Sequence, residues 1–142
     1  MADPVPAIPA AEVTSVVFAA FMVWVSALVQ HFGNVEKGGA DYVVSDRSVP
    51  PDIAGFVGRA TRTLSNNIES ALMYVPPVLI VIGVDGAAEL SHYTAWIYIL
   101  ARLIFSFSYW LRVQVVRSLA WLVGMICCAI MYYVAVSTMI LR

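Results

Sequence analysis

Two stretches of this chain contain no Asp, Glu, Lys or Arg: the one between Glu12 and Glu36, and the one from Ser118 to Leu141. A helix needs about 20 apolar residues to cross a hydrocarbon layer about 30 Å thick, so each stretch is long enough to cross alone. The composition agrees: 61% of the 142 residues are hydrophobic and 12% charged, and the mean hydropathy is +0.84. A soluble domain is about half apolar and a quarter charged. The chain is therefore expected to be an all-α integral membrane protein, with its first and last helices at about 13–32 and 117–140.

The middle behaves differently. Only 15 residues separate Glu69 from Asp85, and 12 separate Glu89 from Arg102. Neither stretch spans without ionisable neighbours, so the second helix (about 53–84) and third helix (about 88–111) must carry Glu69 and Arg102 at membrane depth. Residues 33–52, with Gly33, Gly38, Gly39, Pro50 and Pro51, read as a long first loop; "VDGAAE" and "LRVQVVR" read as short turns. The expected architecture is an up-down four-transmembrane-helix bundle, one domain over 1–142. Pro76 and Pro77 remove two amide donors from the second helix and predict a kink there.

Several functions are excluded at once. The net charge is −1 and no basic run is present to follow phosphates, which argues against nucleic acid. Cys127 and Cys128 are adjacent in an apolar run, a spacing for neither a disulfide framework nor a metal, and point to different sides of a helix. The N-terminal "MADPVPAIPA" lacks the basic residues of a secretory signal, so the first helix is expected to be retained. Lys37, Arg47, Arg59 and Arg62 flank the first connection, and Arg112 and Arg117 the third. The positive-inside bias places those connections in the cytoplasm and both termini outside.

The polar residues of the middle helices fall into register. With the second and third helices antiparallel about a turn near Ala87, and about 1.5 Å of rise per residue, Arg62 comes near the depth of Arg112, Asn66 near Tyr109, and Glu69 about a turn from Arg102. Arg59, Arg62, Asn66 and Glu69 share one face of their helix, as do Arg102, Ser106 and Tyr109 of theirs. Arg117 and Ser118 enter from the start of the fourth helix. The expectation is one cytoplasm-facing cavity in which Glu69 lies with Arg62 and Arg102. Arg62, Arg102, Arg112 and Arg117 against Glu69 leave three positive charges in excess, although an intramembrane arginine costs roughly 2.5–3.5 kcal/mol. Either an anionic ligand completes the cavity, or Glu69 pairs with Arg102 while Arg112 and Arg117 reach lipid headgroups.

At these residues the chain resembles the MAPEG family, the membrane-associated proteins of eicosanoid and glutathione metabolism. "RATRTLSNNIE" is similar to the family's second-helix signature, "ARLIFSFSYW" to its third-helix Arg with a Tyr seven residues on, and "VVRSLAW" to the start of its fourth helix. The resemblance implies a homotrimer binding glutathione at subunit interfaces near the cytoplasmic side. Carried over by position, Arg62, Asn66, Glu69, Arg102, Tyr109 and Arg117 would contact glutathione, and Arg117 or Ser118, with Tyr109, would serve the thiol. Guanidinium forks suit the two carboxylates of glutathione and Glu69 its ammonium. Gln30 and His31 stand where many catalytic members have an Arg, and Met73 replaces a Pro. Two function classes follow: a glutathione-dependent membrane transferase or peroxidase acting on lipophilic electrophiles, and a non-catalytic membrane subunit or lipid-binding scaffold.

Overall fold

The computed structural model describes residues 10–46 and 54–141. Among these the chain is all α: α1 Ala10–Val44, α2 Gly55–Gly83, α3 Glu89–Trp110 and α4 Gln114–Ile140, with no strand. Two helical segments are long and apolar enough to cross a membrane, Ala10–Gly39 and Gln114–Ile140. They contain the first charge-free stretch whole and the second as far as Ile140. Arg47, Pro50, Pro51 and the N-terminal tail lie outside the described residues.

The first helix corrects the sequence-based reading. It was expected to end near residue 32, but it continues to Val44, interrupted only at Gly39 (φ 74°, ψ 172°). Gly33 does not break it, because that glycine is buried against α2: a Cβ there would lie 3.5 Å from Val57 Cγ2 and 3.6 Å from the Phe56 ring. The small residue permits close helix approach, so it serves packing rather than a turn. The helix therefore runs on through Glu36 and Lys37, and the backbone departs from helical geometry only where Gly39 tolerates a positive φ. The second helix is continuous through Pro76 and Pro77.

The helices pack as a rhombus: among the described residues α2 and α3 each pack against both α1 and α4, while α1 and α4 are not neighbours. The core contains Tyr74 and Val78 of α2, Ala95 and Tyr98 of α3, and Cys127, Cys128 and Met131 of α4. Both cysteines are free and buried, so although they are a hundred degrees apart on α4, they share one wide inward face rather than opposite sides. Tyr74 and Tyr98 stack with ring centroids 3.5 Å apart and planes within 2°. Their hydroxyls are not orphaned, as buried phenols require: Tyr74 donates to Ser15 Oγ at 3.0 Å, and Tyr98 pairs with Ser70 at 3.0 Å. At the same end as the α2–α3 turn, buried Glu12 accepts a hydrogen bond from Ser91, which in turn accepts the Ala88 N–H. An acid in the first turn of α1 also meets the positive end of the helix dipole.

Both short turns are Schellman caps. Gly86 N–H bonds Val81 O and Asp85 N–H bonds Ile82 O after α2; Val113 N–H bonds Ser108 O and Arg112 N–H bonds Tyr109 O after α3. Gly86 is held tightly, since a Cβ there would come 2.4 Å from Thr138 Cγ2. Gly86→Ala is expected to destabilise the protein by about 1–3 kcal/mol through overpacking. Equilibrium unfolding in detergent checks this, with Thr138→Ala in the same chain recovering most of the loss.

Candidate functional site

The inner face of α2 is a single stripe: Ala60, Thr63, Asn67, Ser70, Tyr74, Pro77, Val78 and Val81 are all buried. Steps of three and four keep it on one side of the helix, polar in its first half and apolar in its second. Asn67 is the hub of the polar half. Its side-chain amide donates to Ser26 Oγ of α1 at 2.7 Å and to Ser106 Oγ of α3 at 3.1 Å, while its carbonyl oxygen accepts from Arg102 Nη2. The same guanidinium nitrogen donates to Asn66 Oδ1 at 3.2 Å. Three helices are thus tied at one side chain that is 3% exposed.

Arg102 is 2% exposed. Its Cζ sits 4.3 Å from the Phe105 ring centroid, a favourable cation–π placement. Its stem passes over Gly124, whose absent Cβ would lie 3.6 Å from Arg102 Cδ. The partners described for this buried cation are two neutral amide oxygens and an aromatic face. Burial without a carboxylate is costly, and among the described residues no carboxylate balances this charge.

Glu69 is not that carboxylate within one chain. The expected shared cavity of Glu69 with Arg62 and Arg102 is not formed: Glu69 is exposed, and Arg102 turns to the asparagines. The reason lies in the helical wheel. Arg62 and Glu69 do share a face, seven residues apart, but that face is offset from the buried stripe, so Asn67 and not Glu69 enters the bundle. Asn66 stands between the two faces, partly buried.

Beyond Arg102, at the α3–α4 turn, an open cleft of about 450 Å³ is lined by Gly55, Arg59 and Arg62 of α2, by Ser108, Tyr109, Arg112 and Val113, and by Gln114 and Arg117 of α4. Four guanidinium groups line it, and no Asp or Glu among the described residues does. Arg117 Cζ lies 4.7 Å from the Tyr109 ring centroid. Arg59 Nε donates to the Trp110 carbonyl oxygen at 3.3 Å, which ties the start of α2 to the end of α3. The structure therefore brings Arg62, Tyr109 and Arg117 together, keeps Asn66 and Arg102 in the buried network, and leaves Glu69 and Ser118 on the surface. The Ser118 hydroxyl donates back to the Gln114 carbonyl oxygen at 3.1 Å. Asn67, Ser26 and Arg59 were not among the sequence-predicted site residues; the three-and-four spacing of small polar residues along α2 was the signal for Asn67.

A hydrogen bond also accounts for Gln30. Its Nε2 donates to Thr61 Oγ1 at 3.0 Å, so α1 reaches α2 there through a neutral amide.

The MAPEG family model matches residues 11–137 of the chain. No curated protein and no solved structure matches it.

Proposed function

The chain belongs to the MAPEG family, and from that premise we propose that it is a glutathione-dependent membrane transferase or peroxidase acting on lipophilic electrophiles. The observation that carries this reading is the convergence of Arg62, Tyr109 and Arg117 on one cleft free of described carboxylates, with buried Arg102 held by amide oxygens. Glutathione fits that donor set: planar guanidinium forks match its carboxylates, and a cationic, partly enclosed site lowers the cost of its thiolate. In this reading Arg62, Asn66 and Arg102 orient glutathione. Arg117, held over the Tyr109 ring, stabilises the negative sulfur, with Tyr109 or Ser118 as a hydroxyl donor. The lipophilic partner enters from the bilayer.

The assembly in this reading is a homotrimer of four-span subunits with termini outside and the first and third connections in the cytoplasm. Support comes from the exposed face of α2. Arg62 and Glu69 are both exposed on a helix whose other half is apolar, and an ionised residue facing hydrocarbon is expensive. A neighbouring subunit covering that face would enclose both, and Glu69 could then take the ammonium of glutathione. Glu69→Gln is accordingly expected to weaken glutathione binding about tenfold or more, the worth of one charge-assisted hydrogen bond, while the melting temperature stays near that of the unmodified protein. Equal losses of both would make Glu69 a structural residue.

Titration calorimetry with glutathione on the detergent-solubilised protein, followed by an ultraviolet difference spectrum for the thiolate, tests the function directly. Binding with a thiolate signal supports the enzyme; a stable trimer that binds no glutathione supports the second reading, a non-catalytic subunit or scaffold. That second reading is favoured by Gln30, whose side chain is engaged by Thr61 and adds no cation to the cleft. A monomer that binds glutathione with full affinity would sink the interfacial site.

A further inference from the structure

Arg112 sits where an arginine should not be. It occupies the left-handed position of the α3 Schellman cap, with φ 67°, a conformation that costs little for glycine and that Asn or Asp adopt more readily than other L-residues. The α2 cap solves the same problem with Asp85, φ 51°. The turn could therefore be relieved by a smaller residue, yet it carries a guanidinium at the mouth of the arginine cleft. Strain of this kind points from the conformation to a role for the side chain.

What faces Arg112 is set by its neighbours. Leu111 is 73% exposed and Val115 72%, and Val113 and Val116 are exposed as well. A basic residue flanked by bare aliphatic side chains belongs at the boundary between headgroups and acyl chains. Arg59 lines the same cleft with its Nε already fixed on the Trp110 carbonyl oxygen, so its terminal nitrogens are oriented before any ligand arrives.

We propose that Arg59 and Arg112, in the cleft they share with Arg62 and Arg117, hold the phosphate of an anionic bilayer phospholipid. The acyl chains lie along the exposed Leu111, Val113 and Val115. Two guanidinium groups offer forked donors to one phosphodiester, and basic pockets between helices are a recurrent way to hold such headgroups.

The test is lipid retention in nanodiscs containing equal amounts of phosphatidylcholine and phosphatidylglycerol, read by native mass spectrometry of the released protein. The unmodified protein is expected to retain phosphatidylglycerol preferentially, and each of Arg112→Gly and Arg59→Gln to reduce that preference about fivefold, the effect of one basic residue at an anionic surface. Arg112→Gly relieves the cap, so its melting temperature should equal or exceed that of the unmodified protein. Arg117→Leu should remove the thiolate signal of bound glutathione and leave the lipid preference in place. The proposal is overturned if Arg112→Gly keeps the full preference, if the preference falls only together with the melting temperature in both variants, or if Arg117→Leu removes it to the same degree. It is equally overturned if inorganic phosphate at the lipid's concentration displaces the phosphatidylglycerol, which would make this a site for soluble phosphate. Failure of glutathione to bind any preparation would remove the functional reading above and leave the lipid comparison fully interpretable.

Discussion

Asn67→Leu is expected to destabilise the protein by about 3 kcal/mol, the largest effect of any single substitution outside the cleft. The size follows from what the side chain does. It donates to Ser26 and Ser106 and accepts from Arg102, all at buried positions. Hydrogen bonds between membrane helices average only about 0.6 kcal/mol and reach about 1.7, so the two hydroxyl contacts alone would be a modest loss. The Arg102 contact decides the matter, because bonds to charged groups are worth about 1.5–3 kcal/mol and an abandoned buried charge costs more than a lost neutral partner. Asn67→Asp separates the two contributions. A carboxylate still accepts from Arg102, and the serine hydroxyls can turn to donate, so most of the stability should return. The new negative charge would, however, neutralise Arg102 for any anionic ligand. Unfolding in mixed detergent and glutathione titration, run on both variants, should show Leu losing stability and Asp losing affinity. An Asn67→Leu protein within about 1 kcal/mol of the original would mean the hub is not needed.

That hub marks where reading the sequence stopped short. The class of the protein was legible because hydrocarbon thickness sets a length that two uncharged stretches satisfy, and no detail of packing can change it. Helices α2, α3 and α4 begin and end within a few residues of where charges and turn residues placed them. The wheel also put Arg62 and Glu69 correctly on one face, with Asn66 at the edge of it rather than in its middle. The sequence does not say which face of α2 turns inward, and charge was a misleading guide. The interior took the small polar residues Thr63, Asn67 and Ser70, which can be satisfied by hydroxyls and amides at short range. On α2 the long charged residues Arg62 and Glu69 stayed at the surface. A stripe running without interruption from Ala60 through Asn67 to Val81 would have identified the inner face, since its apolar half must pack inside and a helix has only one such side.

The end of α1 was missed for a related reason. Three glycines and two prolines within residues 33–52 resemble a loop, but in membrane proteins glycine also serves where two helices approach closely. Gly33 is such a contact and Gly39 a break. Their difference lies in whether another helix is there to touch, and only the tertiary arrangement supplies that.

Arg117→Leu should have the largest effect on function. If Arg117 stabilises the glutathione sulfur, its loss removes a preorganised donor, and removal of one such donor typically lowers turnover by about 10²–10³. The ring of Tyr109 fixes the guanidinium 4.7 Å from its centroid, so the charge is already in position before the thiolate forms. Arg117→Lys then becomes the informative variant. It keeps a positive charge but loses the planar stacking and the forked donors, and it should recover only part of the thiolate signal. Tyr109→Phe keeps the stacking face and removes the hydroxyl, so it should leave Arg117 in position and reduce the signal only to the extent that the phenol donates to the sulfur. The readout is the ultraviolet thiolate difference spectrum at saturating glutathione, which separates ionisation from binding. If Arg117→Leu binds glutathione and still produces the full thiolate signal, the sulfur is stabilised elsewhere, and buried Arg102, with amide oxygens as its hydrogen-bond partners, is the cation to which the role would pass.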